Sequence, residues 1–198
     1  KGKEAWIEPV ISADNYSFKV HIGKPRDIDY VKKGTSAGKW KAFNCLLSET
    51  PISYDYLKKE GQAGRMGARL LTVVAEGKGG RVFLDPTFEF ENIAKNAKPD
   101  WKPELDINYH PRDIKTQIYG MTKYGHLFTD RQLVVLNTFA ELVNLARDKA
   151  VNDSMNLTSS GIESNEYGNA ISVYLAFIVE QVANHSSTIR GWNSANTQ

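Results

Sequence analysis

The hydrophobic pattern is strongest in the last third of the chain, where apolar residues recur at three- and four-residue steps. This recurrence runs through residues 133–146 and predicts a long helix with one wide apolar face. Thr129 and Gln132 stand where a capping box would close its first turn. Further apolar residues at 134, 135 and 142 widen the face, so we expect this helix to be buried on most sides.

A second helix is predicted at residues 169–185, apolar on nearly all sides between 170 and 179. Two such helices most simply pack against each other or cover a sheet. Between them, residues 152–165 are rich in Ser and Asn, and we predict a mobile surface loop there.

The first half of the chain alternates apolar and polar residues instead. Residues 16–22 alternate and then stop at Gly23 and Pro25, which predicts a strand with one solvent-facing side. Other strands are predicted at residues 6–11, 39–47, 70–75 and 82–84, the last two joined by a Gly-rich hairpin loop. Short helices are predicted at residues 52–66 and 88–97, and an extended loop at 98–113.

The predicted fold class is therefore α+β, with a β-rich N-terminal half carrying short helices and a C-terminal half of two long apolar helices. We assign residues 1–118 to a β-rich basic region and residues 119–198 to a helical region that packs on it as one compact unit. A length of 198 residues is enough for one domain or two small ones. Because the chain begins with Lys rather than Met, we expect a fragment of a longer protein.

Composition excludes a membrane-spanning segment and a disulfide framework. No apolar run approaches the roughly eighteen residues that a bilayer requires. Cys45 is the single cysteine, so no internal disulfide can form, which favours a cytoplasmic location.

The small net charge of +2 hides an asymmetry along the chain. Residues 1–84 carry fifteen Lys and Arg against nine Asp and Glu, a surplus of six positive charges. Residues 85–198 carry ten against fourteen, a surplus of four negative charges. If the chain contacts DNA, its first half is the expected face, since phosphate contacts come from clustered cations. The alternative is solvated surface charge.

A glycine series at positions 61, 64 and 67 lies inside this basic half. Glycines bring a backbone close to phosphates, and flanking cations neutralise them. The candidate phosphate-binding residues are Lys58, Lys59, Arg65 and Arg69. The alternative is a frayed helix end whose glycines serve tight packing.

Two more candidates flank the start of the long helix. Lys123 precedes it, and Arg131 stands in its first turn, where side chains can reach phosphates or base edges. Arg131 could equally pair with a neighbouring carboxylate, and Gln132 is needed by the capping box.

Three segments of the chain resemble adenine-specific DNA methylases, a family in which some members carry a Zn-ribbon and belong to anti-phage gene clusters. The segments are residues 44–87, 119–143 and 169–192, in the family's order. Within the first, EGQAGRMGARL at residues 60–70 is similar to the family's EGKAGRMGARL. The resemblance implies that the parent protein methylates adenine N6 in DNA, with S-adenosylmethionine as cofactor.

The chemistry of such an enzyme is missing from this stretch. Base methylation uses an Asp/Asn-Pro-Pro-aromatic motif beside a flipped-out base, but Thr87 replaces the second proline in Asp85-Pro86-Thr87-Phe88. A Zn-ribbon needs paired cysteines, whereas Cys45 is alone and Ser48 stands where its partner would fall. We therefore expect no catalytic, cofactor-binding or metal-binding residue in this chain.

Two functions follow as hypotheses. The first is a non-catalytic accessory or DNA-recognition region that lies beside the catalytic domain of the same parent chain. The alternative is a structural or interaction module, which packs on that domain or forms a homo-oligomer without touching DNA.

Overall fold

A computed structural model describes residues 4–38, 42–156 and 161–191 of the chain. Its strands form three antiparallel pairs, and its two longest helices follow them in sequence. The mixed α and β composition is thus confirmed, with strands early and long helices late. The described residues divide into two compact units, the first within residues 4–93 and 108–122, and the second within residues 94–107 and 123–191. The boundary between residues 118 and 119 stays a prediction.

Two hairpins account for most of the strand residues. The strands predicted at residues 6–11 and 16–22 are confirmed as β1 (Ala5–Ser12) and β2 (Asn15–Ile22), which pair through a two-residue turn. Later in the chain, β5 (Val73–Gly77) and β6 (Gly80–Leu84) are likewise joined by two residues, Lys78 and Gly79. The long strand predicted at 39–47 is wrong in the described part, where only a two-residue pair forms, β3 (Phe43–Asn44) with β4 (Pro51–Ile52). Residues 39–41 lie outside the described residues.

Three short helices begin at the same kind of side-chain cap. These are α1 (Ile28–Lys33), α2 (Tyr54–Gln62) and α3 (Phe88–Lys95). In each, a side-chain oxygen of the preceding residue accepts a hydrogen bond from a backbone N–H of the first turn, which would otherwise be unsatisfied. The cap residues are Asp27, Ser53 and Thr87. The helices predicted at 52–66 and 88–97 are therefore confirmed, with shorter bounds.

Helices α4 (Asp130–Met155) and α5 (Gly161–Ser186) form an antiparallel pair within the second unit. At one end, the Leu127 carbonyl accepts hydrogen bonds from the backbone N–H and hydroxyl of Thr188, at 2.8 and 2.9 Å. Towards the other end, Arg147 donates its Nε–H to the Asn169 side chain at 2.7 Å. Packing between the helices buries Val151 and Ser164.

The loop predicted at residues 152–165 is wrong wherever the structure describes it. Helix α4 continues to Met155, and α5 begins at Gly161, eight residues before the predicted start. Residues 157–160 lie outside the described part. Ser and Asn are weak helix formers on their own, but tertiary packing overrides that preference here, because Ser154 and Ser164 are buried.

The expectation that the first long helix, α4, is buried on most sides is also wrong. In α4 only Leu133, Val151 and Ser154 are buried. Each helix packs along one side on the other, and large apolar residues on the remaining surface stay in solvent. None of the helices in the described residues is long and apolar enough to cross a membrane.

The predicted capping box at the start of α4 is confirmed. Gln132 donates its backbone N–H to the Thr129 hydroxyl at 3.3 Å, and its side-chain oxygen accepts the Thr129 N–H at 2.8 Å. We expect Thr129→Ala to lower the free energy of unfolding by about 1 kcal/mol, since a first-turn N–H loses its acceptor. Urea denaturation followed by circular dichroism measures this change.

Thr138→Ala is the matched control, because the Thr138 hydroxyl only adds a bond to the Val134 carbonyl within the helix. Alanine is the better helix former, so this variant should be neutral or more stable by a few tenths of a kcal/mol. Equal losses from the two substitutions would show that the cap contributes nothing of its own.

Candidate nucleic-acid interface

Helix α2 carries the first two candidate cations side by side. Lys58 Nζ lies 3.0 Å from Asp55 Oδ1, one helical turn earlier. This hydrogen bond and the carboxylate charge raise the pKa of Lys58 and lower that of Asp55. Lys59 is exposed and forms no ion pair within the described part of the chain. Only Lys59 of the two is therefore free to meet a phosphate.

Arg65 lies just beyond α2 and is held by Glu60. Its Nε and one terminal nitrogen each donate to a Glu60 carboxylate oxygen, both at 2.7 Å. A bidentate pair of this kind is the strong form of an Arg–carboxylate contact, and it raises the pKa of Arg65. The backbone supports the pairing, because the Arg65 N–H also bonds the Glu60 carbonyl at 2.9 Å.

Arg69 is fixed between the first hairpin and α3. Its Nε lies 3.0 Å from Glu91 Oε1, and a terminal nitrogen donates to the Tyr16 carbonyl at 3.3 Å. The guanidinium also sits 4.8 Å from the centre of the Tyr16 ring, within cation–π range. These contacts make Arg69 a connector inside the first unit.

The remaining two candidates belong to the second unit. Lys123 forms an ion pair with Glu104, which raises the pKa of Lys123 and lowers that of Glu104. Arg131 is exposed at the start of α4 and pairs with no carboxylate among the described residues. Of the two alternatives left open for Arg131, pairing with a neighbouring carboxylate is therefore not found in that part of the chain.

Glycines 61 and 64 serve helix packing and termination. Gly64 has φ +68°, and its N–H donates to the Gly61 carbonyl. The Arg65 N–H donates to the Glu60 carbonyl. These two hydrogen bonds form a Schellman motif, which ends helix α2. At Gly61, an added Cβ would lie within 2.8 Å of the Tyr119 carbonyl carbon, so the two backbones pass in direct contact. Tight packing, the alternative drawn from the sequence, is confirmed for Gly61.

The Asp85-Pro86-Thr87 motif has a structural use. Asp85 Oδ1 accepts the backbone N–H of Val20 at 2.6 Å and so joins the end of β6 to β2. Thr87 caps α3. Both side chains are therefore engaged by the fold at the place where a methylase motif would hold a base.

The Gly-rich turn at Lys78 and Gly79 differs from the turn that holds S-adenosylmethionine in methyltransferases. That cofactor is held by a strand followed by a Gly-rich turn and a helix N-terminus. The Gly-rich turn at Lys78 and Gly79 leads instead into strand β6. The space beside Gly61 is filled by the backbone of Tyr119.

Cys45 is half-buried and is a free thiol. A hydrogen bond with the Ser48 side chain, helped by backbone bonds at Ser48 and Leu47, lowers the pKa of its thiol. Among the described residues, no three His, Cys, Asp or Glu side chains come together as metal ligands would.

The exposed apolar surface of the two long helices was not predicted from the sequence. Large apolar side chains stay in solvent along both helices, and they include Met155 of α4 and Ile162 and Tyr167 of α5 near the helix ends. We define the apolar layer as the four of each helix that lie in its middle part. In α4 they are Val135, Phe139, Leu142 and Leu145, and in α5 they are Val173, Tyr174, Phe177 and Ile178. The signal was present, since apolar residues on nearly all sides of a helix indicate two contact faces as readily as deep burial.

Comparison with known proteins identified no relative of this chain. No protein-family model, no curated protein and no solved structure matches the chain.

Proposed function

We propose that this chain is a non-catalytic accessory region of an adenine-specific DNA methyltransferase and that it contributes protein–protein contacts to that enzyme. The resemblance of three segments, in the family's order, supports the methyltransferase part. The structural use of Asp85, Thr87 and Gly61 supports the accessory part. In this proposal S-adenosylmethionine and the target adenine bind elsewhere in a cytoplasmic parent protein.

The interaction role rests on one observation, the exposed apolar layer of α4 and α5. Its eight side chains are each between 42% and 72% exposed. Large exposed apolar patches on soluble proteins commonly mark sites that bind other proteins. Polar residues lie along its edges, as they do around protein–protein contact sites.

DNA contact is the second candidate, and Lys59 and Arg131 favour it because neither is paired within the described residues. Against it, the other four candidates lie in ion pairs with carboxylates of their own unit. A cation that already pairs with a carboxylate has to exchange that partner for a phosphate, although an exposed ion pair contributes only about 0–1 kcal/mol.

A mobility-shift titration of the whole chain against duplex and single-stranded DNA tests these two candidates. The interaction role predicts no retardation at about 50 mM salt, where phosphate contacts are strong. Retardation that falls with salt, and that Lys59→Ala with Arg131→Ala abolishes, would overturn it in favour of DNA recognition.

The same preparations, given labelled S-adenosylmethionine and adenine-containing duplex, test the accessory role. We expect no methyl transfer. The control is Thr138→Ala, which is exposed, removes no charge and should leave both results unchanged. Methyl transfer by the isolated chain would show that it is catalytic.

A further inference from the structure

The chain passes between the two compact units more than once. Residues 108–122 belong to the first unit, although residues 94–107 before them and the residues from 123 onwards lie in the second. We call residues 108–122 the arm. The segments that flank it, 103–106 and 123–125, pair with each other and form its stem. The arm is therefore a loop whose base is closed in one unit while its own residues belong to the other.

Backbone hydrogen bonds close the stem. The Tyr124 N–H donates to the Leu105 carbonyl at 3.0 Å. The Gly125 N–H donates to the Pro103 carbonyl at 2.9 Å. Gly125 is buried, and an added Cβ there would lie 2.8 Å from the Pro103 carbonyl oxygen. The two sides of the stem are therefore in direct backbone contact.

The tip of the arm docks on helix α2, and both belong to the first unit. The helical turn Thr116–Tyr119 ends at Gly120, whose φ is +87°. An added Cβ at Gly120 would lie 2.6 Å from the Gly61 carbonyl carbon, so the two backbones touch. Next to this contact, the Gln62 side-chain amide donates to the Ile118 carbonyl at 3.1 Å.

Helix α2 depends on this docking for its place in the first unit. Among the helices and strands of the described residues, the turn Thr116–Tyr119 is the main packing partner of α2. No residue of α2 is fully buried. Elements with few buried contacts open locally at a low cost in free energy. We therefore expect α2 and the tip of the arm to open together.

We propose that the arm is a latch, in which the closed stem of the second unit keeps the tip docked on α2 of the first. Closing a flexible loop costs conformational entropy, and the cost falls when part of the loop is already ordered. The stem therefore closes more readily when the tip is docked. This inference concerns motion within the chain and goes beyond the proposed function.

The size of the coupling follows from the length of the arm. Coupling between two sites is reciprocal, so a closed stem favours docking by the same factor by which docking favours closure. Docking removes roughly half of the flexible length of the loop, which corresponds to about a threefold effect. Opening the stem should therefore loosen α2 although the stem belongs to the other unit.

Amide hydrogen exchange of the full chain, followed by NMR, tests whether the stem acts on α2. Gly125→Ala should open the stem, because the new Cβ would lie 2.8 Å from the Pro103 carbonyl oxygen. We expect the amides of α2 to exchange at least about threefold faster in this variant. Gly79→Ala is the control, because its added Cβ meets open space in the first unit and should leave α2 unchanged.

Circular dichroism shows whether Gly125→Ala keeps its helices, and Tyr124→Pro replaces it if it does not. Tyr124→Pro removes only the stem hydrogen bond to Leu105, and proline suits the first position of the helical turn that begins there. In either variant, faster exchange in the stem with unchanged exchange in α2 would overturn the latch.

The reverse experiment begins at the tip of the arm. Gly120→Ala should release the arm from α2, so the stem amides of Tyr124 and Gly125 should exchange faster by the same factor. Gly64→Ala is the matched control, because its added Cβ meets open space beyond the end of α2 and should leave the stem unchanged. A change confined to the first unit in Gly120→Ala would overturn the latch. Neither experiment depends on the DNA and methyl-transfer assays, which decide the proposed function separately.

Discussion

Replacing Gly120 with alanine is expected to lower the free energy of unfolding of the first unit by about 3 kcal/mol or more. Gly120 has φ +87°, a conformation that strains any residue with a Cβ. An added Cβ would also lie 2.6 Å from the carbonyl carbon of Gly61. Backbone atoms cannot swing aside as a side chain can, so α2 would have to separate from the turn at Thr116–Tyr119.

Two other glycine substitutions separate the causes of this loss. Gly64→Ala meets a positive φ but open space, so it should cost only about 1–2 kcal/mol. Gly61→Ala meets the Tyr119 backbone without a positive φ, so it isolates the clash. Urea denaturation of the three variants measures each term. Equal losses in Gly120→Ala and Gly64→Ala would show that the close approach contributes nothing.

The close approach of Gly61 and Gly120 could not be predicted from the sequence. The two residues are far apart in the chain, and a glycine beside lysines is equally typical of phosphate binding. Gly64 was more accessible to prediction, because a glycine just past an amphipathic helix is the usual C-terminal signal. The hairpins and the cap at Thr129 followed from local patterns, since their hydrogen bonds join residues near in sequence.

The candidate interface shows the same limit. Sequence counts cations, but it does not say which carboxylate reaches each one. The Arg65–Glu60 pair depends on the backbone turning at Gly64, and Arg69 meets Glu91 only after the hairpin and α3 are packed. Of the four paired candidates, only Lys58 has a partner that the local charge pattern could indicate, because Asp55 lies one helical turn before it.

The second large effect is expected for Gly168→Ala. The sign of its change in the free energy of unfolding shows how closely α4 and α5 pack. In an exposed helix this change stabilises by about 1 kcal/mol, because alanine is the better helix former. Gly168 is buried, however, and an added Cβ would clash with a methyl group of Val151 and lie 3.1 Å from the Arg147 carbonyl. We expect a net loss of about 2 kcal/mol, measured by urea denaturation.

Val151→Ala provides the test of cause, because it removes the methyl group that a new Cβ at position 168 would meet. Alone, Val151→Ala should lower the free energy of unfolding by about 2 kcal/mol, since Val151 is buried and its truncation leaves a cavity. In the double variant the new Cβ partly fills that cavity, so the losses should fall short of additivity by about 1–2 kcal/mol. Strict additivity would mean that Gly168 and Val151 do not touch, and that α5 lies on α4 in some other register.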